Sequence, residues 1–193
     1  MLLAIDIGNT NISIGVFKKD SLIAKKSLKT NLKASQMEIR DEILDFLKND
    51  SPNYINLNKA IIGSVVPSIT NLVKSSVEQI IDLNVSVINS KTKTNIDILY
   101  DTPSEVGSDR ICDAVAAKIL YPKNKIIVDF GTATVFDAIT EQGEYIGGAI
   151  SPGIHIASES LYLHTSLLKR IEVSPTKKVI GTNTNDSLQS GLF

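Results

Sequence analysis

The chain of 193 residues has a mass of 20.9 kDa, enough for one domain or two small lobes. Lys and Arg number 20 against 21 Asp and Glu, and the resulting net charge of −1 argues against holding nucleic acid or an anionic membrane by bulk electrostatics. With 42% hydrophobic and 21% charged residues the composition can build a core, and the single cysteine, Cys112, excludes a disulfide within the chain.

Residues 2–7 read as a buried strand whose apolar run is broken at Asp6, far short of the roughly 20 residues a bilayer span needs. No secretory signal is read there, so a reducing, cytoplasmic setting is expected. Gly8-Asn9-Thr10-Asn11 forms a tight turn, residues 12–17 alternate as a strand, Lys18-Lys19-Asp20 turns again, and Leu22 to Leu28 is a third strand. A helix is expected near Ala34 to Lys48, with Met37, Ile43, Leu44 and Leu47 on its apolar side. A strand at 60–66, a helix from Pro67 to about Asp82 and a strand at Val85 to Ile88 complete an α/β half. A helix starting at Asp109 leads into the second half.

That half begins as the first did. Lys125 to Gly131 is an apolar strand ending in Asp-x-Gly, and Thr132-Ala133-Thr134 turns where Asn9-Thr10-Asn11 turned. Strands at Val135 to Ile139 and Tyr145 to Ile150 flank a turn at Glu141 to Gly143. Two copies of strand–turn–strand–turn–strand, each headed by Asp-x-Gly, imply a duplicated fold with a cleft between lobes, divided near Cys112 into 1–112 and 113–193.

Missing motifs narrow the chemistry. No two of the eleven glycines are separated by a single residue, and none precedes a lysine, so neither a dinucleotide fingerprint nor a Walker A loop is present. No G-x-S-x-G elbow occurs either. His155 and His164 lie nine apart, about 900° around a helix, and so on opposite faces, which disfavours a histidine-bound zinc. Any nucleotide must be held by another cradle.

The Asp-bearing turns offer one. Glycine beside a strand end lets backbone approach a phosphate, whose oxygens accept from amides, Asn9 and Thr10. Asp6 at the strand tip is placed either to hold a hydrated Mg²⁺ or to cap an Asx turn. Asp109 reads as a general base or as the N-cap of its helix, with Asp113 one turn on as a competitor. Arg110 suits bidentate pairing with substrate or phosphate oxygens, or a surface ion pair. Gly147-Gly148 and Pro152-Gly153 read as a strand end and a helix entry.

Four segments carry a resemblance: Asp6-Ile7-Gly8-Asn9-Thr10-Asn11, Gly107-Ser108-Asp109-Arg110, Asp129-Phe130-Gly131-Thr132-Ala133-Thr134, and Gly147-Gly148-Ala149-Ile150-Ser151-Pro152-Gly153. In this order they resemble the type III pantothenate kinase, or Bvg accessory factor, family, and the Gly-x-Asp-Arg element makes the set specific. The resemblance implies duplicated ribonuclease-H-like lobes of the actin, Hsp70 and sugar-kinase type. It implies ATP-dependent phosphorylation of pantothenate to 4′-phosphopantothenate, the first step of coenzyme A synthesis, in a cytoplasmic homodimer. Asp109 is then the base, and the nucleotide is held by Asp6, Ile7, Gly8, Asn9, Thr10, Asn11, Ile12, Ser13 and Thr132. Pantothenate is held by Tyr100, Gly107, Ser108, Asp109, Arg110 and Thr184. Asp6 serves Mg²⁺ through water, and Asp129 a monovalent cation, K⁺ or NH₄⁺. The second lobe, stopping at Phe193, is expected without the helices that close it in the family, and Val135 replaces a threonine usual there. The alternatives are another small-molecule kinase of the same superfamily, discriminated by Gly-Ser-Asp-Arg, or a non-catalytic nucleotide-binding regulator.

Overall fold

The computed structural model describes residues 1–51 and 53–193. Strands β1 (Leu2–Ile7), β2 (Asn11–Lys18) and β3 (Ser21–Lys29) form an antiparallel meander. Lys19, with φ of 54°, takes the left-handed conformation in the turn between β2 and β3. Helix α1 (Gln36–Asp50) opens on a capping box: Ser35 accepts from the Glu38 amide and Glu38 from that of Ser35. Its buried stripe is Ile39, Ile43, Phe46 and Leu47, at i, i+4, i+7 and i+8. Met37 is exposed, contrary to expectation, because it lies about 200° from Ile39 around the helix.

Strand β4 (Lys59–Ser64) adds parallel to β1, and helix α2 (Pro67–Ile80) returns the chain to β5 (Val85–Val87), parallel to β4. The sheet order is β3-β2-β1-β4-β5. Leu3, Ile5 and Ile7 share one buried cluster with the inner faces of α1 and α2.

The second sheet has the order β6-β9-β8-β7. Its two-residue strand β6 (Asp97–Ile98) runs parallel to β9 (Glu144–Pro152), while β7 (Lys125–Phe130), β8 (Ala133–Ile139) and β9 repeat the antiparallel meander. The repeat is imperfect by one residue: Asp6 faces Ser13 across its hairpin, but Asp129 faces Val135. The second turn is therefore tighter, and Thr134 is drawn out of it into β8, where it is buried. Gly147 and Gly148 stand inside β9 and do not end it.

Helix α3 (Ser108–Leu120) joins the halves, packing on β4 of the first sheet and on β7 and β8 of the second. A division at 112/113 falls within this helix, and the second core already includes Ile96 and Val106. Helix α4 (Ile154–Leu163) contacts β8. Helix α5 (Thr184–Leu192), which apolar periodicity does not announce, packs on α4 and is capped by Asn183. The repeat also exposes a contrast between the lobes. Ile126, Val128 and Phe130, at the places in β7 that Leu3, Ile5 and Ile7 hold in β1, are 64%, 41% and 73% exposed. Among the described residues no helix is long and apolar enough to cross a membrane.

Candidate active site

The two Asp-bearing turns face each other. In the first, the Gly8 amide donates to the Asn11 carbonyl at 2.9 Å, and the Thr30 hydroxyl donates to the Gly8 carbonyl at 2.7 Å. In the second, the Gly131 amide donates to the Ala133 carbonyl at 2.9 Å. The Thr10 and Thr132 hydroxyl oxygens lie 3.0 Å apart, so the turns meet across the cleft. Asn9 and Thr10 are exposed there. Ile7 and Ile12 are in the first core, so only their backbones are available to a ligand, whereas Ser13 is exposed beside Asp6.

Asp6 is the penultimate residue of β1 and reaches the surface at the cleft, and desolvation by its surroundings together with the charges of Asp109 and Asp129 holds its carboxyl above the ordinary range. Three carboxylates from β1, α3 and β7 thus share one electrostatic neighbourhood.

Asp109 is not the helix cap. Gly107 holds that position, Asp109 lies one residue inside the helix, and its Oδ1 accepts from the Arg110 amide at 2.7 Å. Its Oδ2 has no hydrogen-bond partner among the described residues. Ser108 is buried: its Oγ accepts from the Ser64 amide at 2.5 Å and donates to the Ser64 carbonyl at 2.9 Å. That hydroxyl pins the start of α3 to the end of β4, so its one proton is already engaged with backbone.

Arg110 also departs from expectation. Its Nη2 and Nε donate to Asp137 Oδ1 and Oδ2 at 2.5 and 3.1 Å, which occupies the bidentate face assigned to a substrate. This pairing raises the guanidinium pKa above its ordinary value, since hydrogen bonding to Asp137 outweighs partial burial. Tyr145 donates to Asp137 Oδ1 at 2.6 Å, and its hydroxyl is held above its usual range by burial and by that bond. Tyr100, half-buried, meets Tyr145 edge-on at 5.7 Å, and its hydroxyl lies 3.4 Å from Arg110 Nη2. Thr184 is exposed at the start of α5 and makes no hydrogen bond to Tyr100, Asp109 or Arg110 among the described residues.

Sequence reasoning missed Asp137, Tyr145 and Ser64. The signal for Asp137 was a carboxylate inside the apolar run Val135-Phe136-Asp137-Ala138-Ile139.

Asp113, one turn beyond Asp109, is pushed up to about 6, by enclosure first and then by Asp129, Asp109, Asp6 and Asp137. Between its ordinary value of 3.8 and about 6 the folded state binds this proton more tightly than the unfolded chain. Asp113 therefore weakens the fold at neutral pH, and this penalty fades as pH falls through 6 towards 4. Thermal melts without divalent ions should show Asp113→Asn more stable than the parent at pH 7.5, with the gap closing by pH 4. A gap independent of pH would discard this assignment.

Paired ribonuclease-H-like lobes, each offering a strand-tip aspartate and a hydroxyl-bearing turn to one cleft, are the architecture of the actin, Hsp70 and sugar-kinase superfamily. Two solved structures share this fold. One is a protein described as a Baf family transcriptional activator from Campylobacter jejuni, at TM-score 0.56 and 23% identity, covering 98% of this chain and 72% of that one. The other is described as a 2-dehydro-3-deoxygalactonokinase from Sinorhizobium meliloti, at TM-score 0.52 and 11% identity, with 86% and 59% covered. Sequence comparison is more specific. The model of the type III pantothenate kinase family matches residues 2–193. A type III pantothenate kinase of Finegoldia magna is 43% identical over 192 residues, spanning 100% of this chain and 73% of that protein. Its counterpart in Halalkalibacterium halodurans is 39% identical over 193 residues, spanning 100% and 76%. The chain belongs to the type III pantothenate kinase family.

Proposed function

We propose that the protein transfers the γ-phosphoryl group of ATP to the 4′-hydroxyl of pantothenate, giving 4′-phosphopantothenate at the entry to coenzyme A synthesis. The observation that carries this reading is the gathering of Asp6, Asp109 and Asp129 beside the Thr10–Thr132 contact, in a chain matched throughout by one kinase family. Asp109 Oδ2 accepts the hydroxyl proton as the new O–P bond forms and ADP departs. Thr10, Asn9, Thr132 and the turn amides orient the phosphates, while Tyr100, Gly107 and the remaining nitrogen of Arg110 line the acceptor side.

Cations fit this site in a particular way. Among the described residues no three His, Cys, Asp or Glu side chains form a group that could hold a metal ion. The acidic cluster instead suits hard cations that share their coordination with phosphate and water. Asp6 would hold Mg²⁺ through water, and Asp129 a K⁺ or NH₄⁺ ion. Bound there, the cations supply neutralisation of the charge on the transferring phosphoryl group. A homodimer in the cytoplasm completes the proposal.

The test is ATP-dependent conversion of pantothenate with Mg²⁺ and K⁺ present; a sugar or short acid turned over in its place, or nucleotide binding without turnover, would replace the reading. In the same assay Asp6→Asn should raise the Mg²⁺ concentration needed for half-maximal activity by roughly tenfold, the loss of about one charge-assisted contact. An unchanged Mg²⁺ requirement would remove Asp6 from the metal site.

A further inference from the structure

We propose that Asp137 is a positioning residue for the acceptor substrate: from inside β8 it fixes the Arg110 guanidinium so that Nη1 alone is presented to the substrate's anionic end. The inference rests on reading the cleft as a pantothenate kinase site and names a residue that acts through another.

Asp137 is only 2% exposed, in a strand otherwise apolar around it. A carboxylate so placed costs stability unless it is paired and its lone pairs are satisfied. Here both oxygens are engaged, by Arg110 Nε and Nη2 and by the Tyr145 hydroxyl. The guanidinium carbon lies 5.7 Å from the Tyr100 ring centre and 5.6 Å from that of Tyr145, so two aromatic faces limit its rotation. Nη1 has no hydrogen-bond partner among the described residues. The space is reserved as well: a methyl group on Gly148 would collide with the Phe136 carbonyl and Asp137 Oδ1 and approach Arg110 Nη2 to 2.9 Å.

A buried ion pair of this kind is weak evidence for stability, since an apolar pair of similar size often serves as well. Its neighbours point to a role in the site. Arg110 follows Asp109 directly, and the Arg110 amide holds Asp109 Oδ1. One side chain in the second sheet therefore sets both the substrate-facing nitrogen and the residue beside the base. It also explains why Arg110 offers a single nitrogen where a free arginine would offer a fork.

The test compares the parent enzyme with Asp137→Asn, which keeps the shape and removes the charge. The KM for pantothenate should rise about tenfold, as for loss of one charged hydrogen bond, with the KM for ATP changed less than about twofold. An unchanged pantothenate KM, or an equal rise in both KM values, would overturn the proposal. Nuclear magnetic resonance of the Arg110 Nε–H group without substrate gives a second readout. A slowly exchanging signal in the parent should be lost in Asp137→Asn, and its persistence would equally overturn the proposal. A parent enzyme inert toward pantothenate would defeat the functional reading, while the Arg110 signal would still decide whether Asp137 holds the guanidinium. Should Asp137→Asn not fold, the uncharged pair Arg110→Gln/Asp137→Asn replaces it. Its pantothenate KM should match that of Arg110→Gln alone within about twofold, because a residue acting through Arg110 adds nothing once Arg110 is gone; a further multiplicative loss would refute the coupling.

Discussion

Replacing Asp109 with asparagine should lower kcat for pantothenate phosphorylation by about 10²–10⁴-fold, the usual worth of a positioned general base. Fold and ATP affinity should be nearly intact. The carbonyl oxygen of asparagine can still accept the Arg110 amide, so the first turn of α3 keeps its hydrogen bond. What is lost is Oδ2, without a hydrogen-bond partner among the described residues and the atom able to take a proton. Helix capping resides on Gly107, so no capping penalty accompanies the substitution. Steady-state kinetics with ATP binding measured by calorimetry would check both halves. A kcat within a few-fold of the parent would leave the cleft with another base.

The second large effect is expected from Gly153→Ala. Gly153 caps α4, and its amide donates to the Thr132 carbonyl at 3.1 Å. A Cβ there would overlap the carbonyl oxygens of Gly131 and Thr132, which are backbone and cannot swing aside. Either α4 detaches or the second turn shifts out of line with the first. Overpacking of this kind costs about 1–3 kcal/mol, so Tm should fall by roughly 2–12 °C for a chain of this size. Because the displaced turn carries Thr132, affinity for Mg-ATP should drop about tenfold or more by the loss of aligned phosphate contacts. A normal Tm and normal nucleotide affinity together would show that the turn and helix are not rigidly joined.

Much of this architecture can be read from the chain because its hairpins are local. The alternation in β2, the turn residues at Gly8–Asn11, and the recurrence of Asp-x-Gly at Asp129 are all written within short windows. Asp6 and Asp129 were legible for the same reason, as strand-tip carboxylates. The two ties that organise the cleft were not: Ser108 reaches Ser64 and Arg110 reaches Asp137 across 44 and 27 residues, and no periodicity encodes such pairs. Helix α5 escaped notice because its sequence is mostly polar, although Asn183 accepting from the Asp186 amide is a start signal visible three residues apart. The one-residue shortening of the second hairpin was hidden as well, since a repeated motif conceals a changed register.

The placement of Asp109 has a mechanical consequence. Just before it, Ser108 is fastened to Ser64 of the first sheet; just after it, Arg110 is fastened to Asp137 of the second. If one lobe swings against the other, displacement is smallest at such a hinge pin and largest at the turns carrying Thr10 and Thr132. Opening to admit nucleotide can then part the phosphate-gripping jaws while the proton acceptor keeps its aim.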